Sequence, residues 1–506
     1  NYGAEFGRGY GAVVLVQTKQ GTNDFSGDFF GFYTDGEWNE KSYFNRAQPK
    51  PQNTREIYGL TSGFPILRDM LFGFLTYEEN TYSGQNLRNV DIFTPEELAM
   101  PRLTRGNDTP ENRKFIEDFL ARFPKSAPNN PALSSRTYTA PYDLEYPDDD
   151  YSVRLDWDAS LKNHLTGRYQ VSNQLRAADE VVKGENVRQE NEQATLGLTW
   201  TQVYNDWLVG EGRYGLAYRD TNVTLGTDPN APIVRFTGSP AAGPIVGNAG
   251  FYPILREQTD HQLVYNLNAM LFQNHSLKAG FDVRMSQLDD RVDNYDRGYW
   301  IFNRVCKDVT YPDPFKAFLD GCVQQFIKGY GPNALENEME EQNYYIEDSW
   351  QALSNLTLVL GARGEVVAAP EESKNRMDYV YDTDQYVDPR FAFAYTIDRD
   401  NRILNWITGG ANRAVVRGGW GVFHGRIFQS VFSQGGASVR SNPPNALIRW
   451  PVTTHTLDIA DPDGDFTFTP GTWPATRIGT YYYIDPELEA PETNQWNLTF
   501  EREMPW

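Results

Sequence analysis

The sequence predicts an all-β protein, a transmembrane antiparallel β-barrel whose strands are joined by long loops on one side. Three observations indicate this fold class: many aromatic residues in a hydrophilic chain, strict alternation of apolar and polar residues, and regular alternation of short and long connections. These are the features by which barrel strands in a membrane are recognised.

The composition separates a barrel from a helical membrane protein. Aromatic residues make up 14% of the 506 residues, although 23% are charged and the formal net charge is -22. This balance suits strands that turn one face to lipid and the other to water. No run of apolar residues approaches the roughly 18 that a spanning helix needs. The acidic balance, without a cluster of Lys and Arg, argues against nucleic acid as a partner.

Alternation with a period of two predicts the strands. Val153, Leu155 and Trp157 share one face of a strand, whereas Arg154 and Asp156 share the other. The same pattern predicts about fourteen strands of barrel length. They lie near 24–34, 54–64, 70–80, 150–158, 164–174, 192–203, 207–220, 259–273, 275–289, 341–352, 355–367, 388–397, 412–424 and 492–502.

The connections between these strands alternate in length. Tight turns near 67–69, 160–163, 204–206, 274 and 353–355, and a longer turn at 398–411, follow every second strand. The other connections are long and are rich in Pro, Asn, Asp and Gly. They span 35–53, 81–149, 175–191, 221–258, 290–340, 368–387 and 425–491.

The connection lengths distinguish a membrane barrel from a soluble β-sandwich. Alternation of apolar and polar residues alone is compatible with both folds. A sandwich has no reason to keep its short turns on one side at every hairpin. Outer-membrane barrels place short turns in the periplasm and long loops outside. We therefore expect recognition in the loops, one of which contains a predicted helix at 110–123 that packs on the loop assembly.

The two cysteines, Cys306 and Cys322, lie in one long connection. A disulfide that closes a surface loop in an oxidising compartment is the favoured interpretation. The alternative is a pair of free thiols, since the spacing, without a neighbouring His, fits zinc poorly.

Catalysis finds little support in the sequence. The five histidines are scattered, and we find no metal-ligand motif, nucleophile elbow or phosphate loop. The acidic runs 148–150 and 289–290 are interpreted as solvated loop charge, and the alternative is a general acid and base. We predict that the chain is not an enzyme and that it holds no cofactor, with calcium as the one exception to consider.

One acidic segment indicates calcium. Asp461, Asp463 and Asp465 alternate around Gly464, and such spacing wraps oxygens around calcium in the first half of a calcium loop. The distal bidentate Glu of such a loop is absent from its usual place. The segment is therefore either a calcium site or an ordinary acidic turn.

Two further groups of side chains are candidates for function. Arg154, Asp156, Arg284, Asp282, Arg363 and Glu365 are expected on the inner face, as charge ladders or as the lining of a substrate path. The loop aromatics could stack on a sugar or peptide ligand, or could hold the loops together. They are Trp450, Trp473, Tyr481, Tyr482 and Tyr483.

Residues 1–21 resemble the end of the plug domain of TonB-dependent outer-membrane receptors. A Gly-rich turn leads into an apolar strand and then into Thr18-Lys19-Gln20-Gly21. Residues 24–33 are similar to the first barrel strand that follows, and 63–74 resemble a periplasmic hairpin of the Oar-like branch. The segments 388–395, 416–423 and 493–503 resemble later strands of that branch, in the same order.

The resemblance implies two parts, the C-terminal end of a plug at 1–22 and a β-barrel at 23–506. It implies about 22 strands around a plugged lumen, of which this chain holds about fourteen. An open barrel edge leaves backbone groups unsatisfied in lipid, so we expect the natural molecule to extend beyond Trp506. The implied location is the outer membrane of a Gram-negative-type bacterium.

The leading functional hypothesis is a receptor that binds an extracellular substrate at its loops. The resemblance implies outer-membrane lipid and the inner-membrane TonB complex as partners, and a peptide, protein or glycan as substrate. The alternative within the membrane is an adhesin or structural surface barrel without active transport. A secreted β-protein that binds carbohydrate is a third hypothesis, which extraction without detergent would favour.

Overall fold

The structure is a computed structural model that describes residues 3–9, 11–40, 52–238, 244–376, 383–399, 402–427, 436–450, 458–462, 477–479, 485 and 487–504. These residues form mainly β-strands, with a few short helices. Within the described ranges, no helix combines the length and the apolarity that crossing a membrane requires.

The strands follow one another along almost the whole chain. The first ten are β1 Ser26–Asp35, β2 Asn53–Leu67, β3 Leu71–Asp91, β4 Thr137–Ser160, β5 Asn163–Ala178, β6 Val187–Asn205, β7 Leu208–Leu225, β8 Ile233–Thr237, β9 Ile254–Leu271 and β10 His275–Val292. The next six are β11 Tyr299–Asn303, β12 Val305–Cys306, β13 Val309–Thr310, β14 Gln325–Tyr330, β15 Ala334–Leu353 and β16 Leu356–Val367. The last six are β17 Glu371–Glu372, β18 Asp384–Thr396, β19 Ala414–His424, β20 Ala446–Trp450, β21 Arg477–Ile478 and β22 Glu492–Arg502.

The helices lie in the connections. They are α1 Pro95–Leu98, α2 Pro110–Leu120, α3 Pro314–Leu319 and α4 Arg402–Thr408, with a 3-10 turn at Gly36–Trp38. Helix α2 begins at the residue that the sequence indicated, because the Thr109 side chain caps it by accepting from the backbone N–H of Asn112.

The long strands form one antiparallel meander. Its order is β1-β2-β3-β4-β5-β6-β7-β9-β10-β15-β16-β18-β19-β22, and β17 adds to β15. Each of the fourteen strands on this path has a counterpart among the strands expected from alternation. Short and long connections alternate between them, so the arrangement of tight turns on one side and long excursions on the other is confirmed.

The strands extend further into the long connections than the sequence indicated. Strand β3 continues to Asp91 and β4 begins at Thr137. The interpretation of the acidic runs as loop charge was therefore wrong. Residues 148–150 belong to β4 and 289–290 to β10, and Asp290 is buried, with its carboxylate 2.6 Å from Nε of Arg256. These carboxylates lie in strands because cross-strand pairing outweighs their low strand propensity.

The two faces of the sheet have opposite character. The face that carries Leu198 and Trp200, which we call the outer face, leaves these side chains 46% and 41% exposed. On the other face, the inner face, Arg363 and Glu365 are each 1% exposed. A soluble protein buries its apolar residues and exposes its charges, so this inversion is the one expected of a wall between lipid and a polar interior.

The sheet curves around the N-terminal residues of the chain. Residues 3–9, the N-terminal segment, contact β16 and β18, because Arg363 and Arg390 donate to backbone carbonyls of this segment. A few residues later, Arg154 of β4 donates to the carbonyl of Thr18 at 2.9 Å. Strands that lie far apart in the sheet order therefore contact the same N-terminal stretch of chain on the inner face of the sheet.

A second assembly covers the ends of the long strands. A five-stranded sheet with the order β21-β20-β14-β11-β8 forms from the long connections. Together with α2 and α3 it surrounds a hydrophobic core, and α1 contributes the buried Glu97 beside it. We call this assembly the loop cap.

Candidate functional site

Charged side chains line the inner face in pairs two residues apart. Successive side chains of a strand point to opposite faces, so residues i and i+2 lie side by side on one face. The six residues expected here form three such pairs, Arg154–Asp156, Arg284–Asp282 and Arg363–Glu365, at 2.7, 3.2 and 2.6 Å. Each pair joins opposite charges, so the inner wall is polar without being strongly repulsive.

The N-terminal segment is bound to this wall through its backbone and through Glu5. Arg363 Nη1 donates to the carbonyl oxygens of Ala4 and Glu5 at 3.4 and 3.3 Å. Glu347 Oε2 accepts from the backbone N–H of Ala4 at 2.7 Å. Lys278 Nζ lies 2.9 Å from Oε1 of Glu5. The contacts with the backbone of Ala4 and with the carbonyl of Glu5 do not depend on the side chains at these two positions.

Gly7 allows the segment to approach the wall. A Cβ atom at this position would overlap Nε of Arg363 and Oε1 of Glu365. Any side chain larger than hydrogen would therefore displace the segment or separate the ion pair.

Buried charges join the segment, the wall and a long connection. Arg426, which follows β19, lies 3.1 Å from Glu341 and 2.8 Å from Glu365. Arg8 of the segment lies 3.0 Å from the same Glu341. The side chains of Glu341 and Glu365 are 2% and 0% exposed. Removing one partner of such a network leaves a buried charge uncompensated, so the network holds the N-terminal segment in one position.

Alternation in the sequence identifies only part of these contacts. Lys278 lies an even number of residues from Asp282 and Arg284 on the same strand, so alternation was sufficient to place it on the inner face. Arg426 follows the last residue of its strand, where no periodicity exists to assign a face. Its role depends on tertiary contact, which a single sequence does not reveal.

Aromatic packing makes the loop cap a folded unit. Phe119, Val182, Phe236, Phe302 and Ile459 come from different long connections and are all buried in one core. The ring of Phe236 stacks on Phe315 with centroids 4.4 Å apart. Burying each such ring contributes about 2 to 3 kcal/mol. The long connections therefore pack against one another instead of extending separately into solvent.

Polar contacts also tie the loop cap together. Arg136, 8% exposed, is paired with Glu97 and with Asp313, which lies 2.5 Å away. The Trp300 indole N–H donates to the carbonyl of Ile459 at 3.1 Å. Cys306 and Cys322 are joined in a disulfide with Cα atoms 6.1 Å apart, and both are buried beside α3.

A polar groove of about 880 Å³ lies where the strands β1 to β7 extend towards the loop cap. Arg188 is the one basic residue among the described residues that line it, and it pairs with Glu190 at 2.6 Å. Residues 41–51, which join two of the lining segments, lie outside the described residues. The lining carboxylates are Asp35, Glu37, Asp143, Glu145, Asp179 and Glu180. The groove therefore suits a neutral or cationic ligand better than an anionic one.

The structure describes one of the five loop aromatics. Trp450 lies on β20, is half-buried and packs against the core of the loop cap. It therefore contributes to holding the loops together, and its use in ligand stacking stays a prediction. Trp473, Tyr481, Tyr482 and Tyr483 lie outside the described residues.

The calcium hypothesis also stays a prediction. Asp461 follows a turn in which Asp458 Oδ1 accepts from the backbone N–H groups of Ala460 and Asp461, at 3.2 and 3.4 Å. Asp463 and Asp465 lie outside the described residues. In the part of the chain that the structure covers, no three His, Cys, Asp or Glu side chains are grouped to hold a metal ion.

Comparison with protein families gives a match along nearly the whole chain. A family model described as "Outer membrane beta barrel domain" matches residues 17–387 and 379–506. The match includes every strand of the large meander, as well as the loop cap.

Among curated proteins, the chain is similar to the "TonB-dependent transporter Oar" of Myxococcus xanthus. The two are 24% identical over 436 residues, which is 72% of this chain and 39% of that protein. Among solved structures, the chain is similar to the outer membrane transporter YddB from Escherichia coli, with a TM-score of 0.59 and 12% identity. That likeness covers 100% of this chain and 53% of YddB, so the chain spans about half of that structure and about two fifths of Oar.

Proposed function

The chain belongs to the outer membrane beta-barrel domain family, and on this basis we propose that it forms the wall and the surface loops of a TonB-dependent receptor. In this proposal the loops bind an extracellular substrate, which then passes through the lumen. The similarity to Oar, named a TonB-dependent transporter, supports the proposal, as does the likeness to YddB, named an outer membrane transporter.

The observation that carries the proposal is the N-terminal segment bound to the inner face. Large outer-membrane transporter barrels have a plugged lumen, whereas porins have an open one. Here the lumen wall binds residues from the start of the chain through Arg363, Glu347 and Lys278. A segment held in this way is suited to connect a plug to the wall.

The loop cap supports substrate binding at the cell surface. Binding sites are commonly formed by loops on a rigid scaffold, and here the loops have a core of their own. A preordered surface loses less entropy when it binds a ligand. A peptide, protein or glycan is the substrate class that we propose, and the acidic groove favours one without excess negative charge.

In this proposal the inner-membrane TonB complex supplies the energy, and no covalent chemistry is performed on the substrate. The chain would thus act as a receptor and transporter and not as an enzyme.

The test compares three strains of the bacterium that encodes the chain: wild type, one without this receptor gene and one without TonB. Peptides and glycans in the growth medium are followed by mass spectrometry. We expect a set of solutes that the wild type removes and that both mutants leave in the medium.

Two results would contradict transport. In one, the strain without TonB removes the same solutes as the wild type. In the other, no solute differs and cells without the receptor lose attachment to surfaces, which would favour the adhesin alternative.

A further inference from the structure

The connection between β18 and β19 differs from the other short-side connections because it contains a helix. The tight turns follow β2, β4, β6, β9 and β15, and the connection that contains α4 follows β18 on the same side. In outer-membrane barrels this side faces the periplasm. Helix α4 therefore lies at the periplasmic end of the wall.

Helix α4 exposes an apolar face. Ile403, Trp406 and Ile407 have the spacing of residues on one side of a helix, and they are 78%, 83% and 46% exposed. Their exposure is unusual for three large apolar side chains on so short a helix, and in water it would be unfavourable.

A contact with β22 places this helix on the lipid side of the wall. Trp496, Leu498 and Phe500 are exposed on the outer face of β22. Arg502 is two residues after Phe500 and therefore lies on the same face. Nη1 of Arg502 donates to the carbonyl oxygens of Trp406 and Ile407 at 3.0 and 3.1 Å. The end of α4 is thus bound to the same face of β22 that contacts lipid.

We propose that α4 is an interfacial anchor whose apolar face is embedded in the periplasmic leaflet of the outer membrane. The occupant of this face is phospholipid, because the face continues the lipid-contacting surface of β22. Trp is favoured at the boundary between hydrocarbon and head groups. Arg399 and Arg413, exposed before and after the helix, are placed to meet lipid phosphates, as in other amphipathic helices that lie in a membrane surface.

Such an anchor would fix the depth of the wall in the membrane. A mismatch between an apolar band and the hydrocarbon thickness carries only a modest cost, so the band of the strands alone fixes the depth of the wall weakly. A helix that lies in the plane of the interface opposes movement of the wall along the membrane normal, because displacement would expose its apolar face to water or bury its polar face in hydrocarbon.

The test uses the full-length receptor in phospholipid nanodiscs. The two cysteines of this chain form a disulfide, and any cysteine elsewhere in the full-length protein is replaced by serine. A single new cysteine can then be labelled with a bimane fluorophore. The positions are Ile403→Cys and Ile407→Cys on α4, with Lys162→Cys as a control in the tight turn after β4, on the same side of the membrane. Quenching is measured with brominated phospholipids and with aqueous iodide.

We expect the labels at 403 and 407 to lose most of their fluorescence in brominated lipid and little in iodide, with the reverse result at 162. If iodide quenches all three positions equally and bromolipid quenches none, the helix faces water and the proposal is wrong. Protection from both quenchers at 403 and 407 would also overturn it, because a protein surface or a second copy would then cover the helix.

Discussion

Arg363 shows how a single residue can determine the arrangement of the lumen. Its guanidinium is buried, pairs with Glu365 at 2.6 Å and donates to the backbone of the N-terminal segment. A buried ion pair is weak support for stability by itself, because desolvation offsets the attraction. Arg363 instead fixes the position of the N-terminal segment, because its side chain contacts both the wall and that segment.

We predict that Arg363→Met destabilises the folded barrel by about 1 to 3 kcal/mol, because the carbonyl oxygens of Ala4 and Glu5 lose their donor. Glu365 would keep Arg426 as its remaining partner. The measurement is the urea dependence of the mobility shift between folded and unfolded receptor on unheated gels. Arg213→Met is the matched control: its partner is Glu211, and its side chain is 54% exposed. Exposed pairs contribute only about 0 to 1 kcal/mol, so equal losses in both variants would contradict the positional role of Arg363.

Glu372 gives a residue-scale prediction about pH, outside the membrane. Burial alone would raise the pKa of Glu372, but hydrogen bonds from Arg376 and from the backbone of Lys374 outweigh it, so the pKa lies below its usual value. A lowered pKa in the folded state contributes stability above the unfolded value near 4.5, and this contribution is lost as pH falls through the folded value.

We therefore expect backbone amide protection in 371–376 to be constant near neutral pH and to fall progressively below about pH 4.5. In Glu372→Gln this acid-dependent loss should disappear, and protection should be weaker at neutral pH. Hydrogen exchange, corrected for the intrinsic pH dependence of the amides, measures both effects. An unchanged acid transition in the variant would show that another group is responsible.

At the scale of elements, sequence alternation was sufficient to find every strand of the meander but not its length. Strand β4 begins at Thr137, although Pro141 and Pro147 argue against a strand there. At Pro141, β4 pairs only with β3, and its pairing with β5 is interrupted around Pro147. Each proline thus lies where a missing N–H is tolerated, a condition set by neighbouring strands and not by local sequence.

The loop cap could not be predicted because its pairing is not sequential. Strand β8 pairs in parallel with β11, which is distant in the chain, and β14 pairs with β20. Apolar side chains occupy both faces of these strands, so their sequences do not show regular alternation of apolar and polar residues. Helix α2 gave a local signal through the apolar positions of Ile116 and Phe119, and its packing onto the loop assembly is confirmed. The two cysteines gave another, and the structure joins them in a disulfide.

We predict that the loop cap loses stability independently of the barrel. Phe318→Ala removes a fully buried ring that contacts Phe119 and Phe302, and such a change costs about 3 to 5 kcal/mol. Hydrogen exchange in α3 should accelerate, whereas the gel mobility shift of the barrel should not change. Leu133→Ala, at an exposed position of a long connection, is the control and should alter neither. A barrel that unfolds together with the cap would contradict their independence.

At the scale of the whole molecule, a membrane barrel requires that the apolar face of the sheet meets lipid. Composition, alternation and connection lengths all indicated an outward apolar face. The structure agrees, since large apolar side chains on the outer face are exposed and several charges on the inner face, including Arg363 and Glu365, are buried. The curvature of the sheet around the N-terminal segment was not accessible from periodicity, because it depends on contacts between distant strands.

The most direct measurement follows spin labels along β6. Single cysteines at positions 195 to 200 of the full-length receptor in lipid nanodiscs are labelled, and collision rates with oxygen, which concentrates in hydrocarbon, and with a water-soluble nickel chelate are compared. If the outer face meets lipid, labels at Leu196, Leu198 and Trp200 will collide mainly with oxygen. Labels at Thr195 and Thr199 should be protected from oxygen. If the labels at 196, 198 and 200 were instead inaccessible to both reagents, the apolar face would be packed against another sheet, and the membrane barrel would be contradicted.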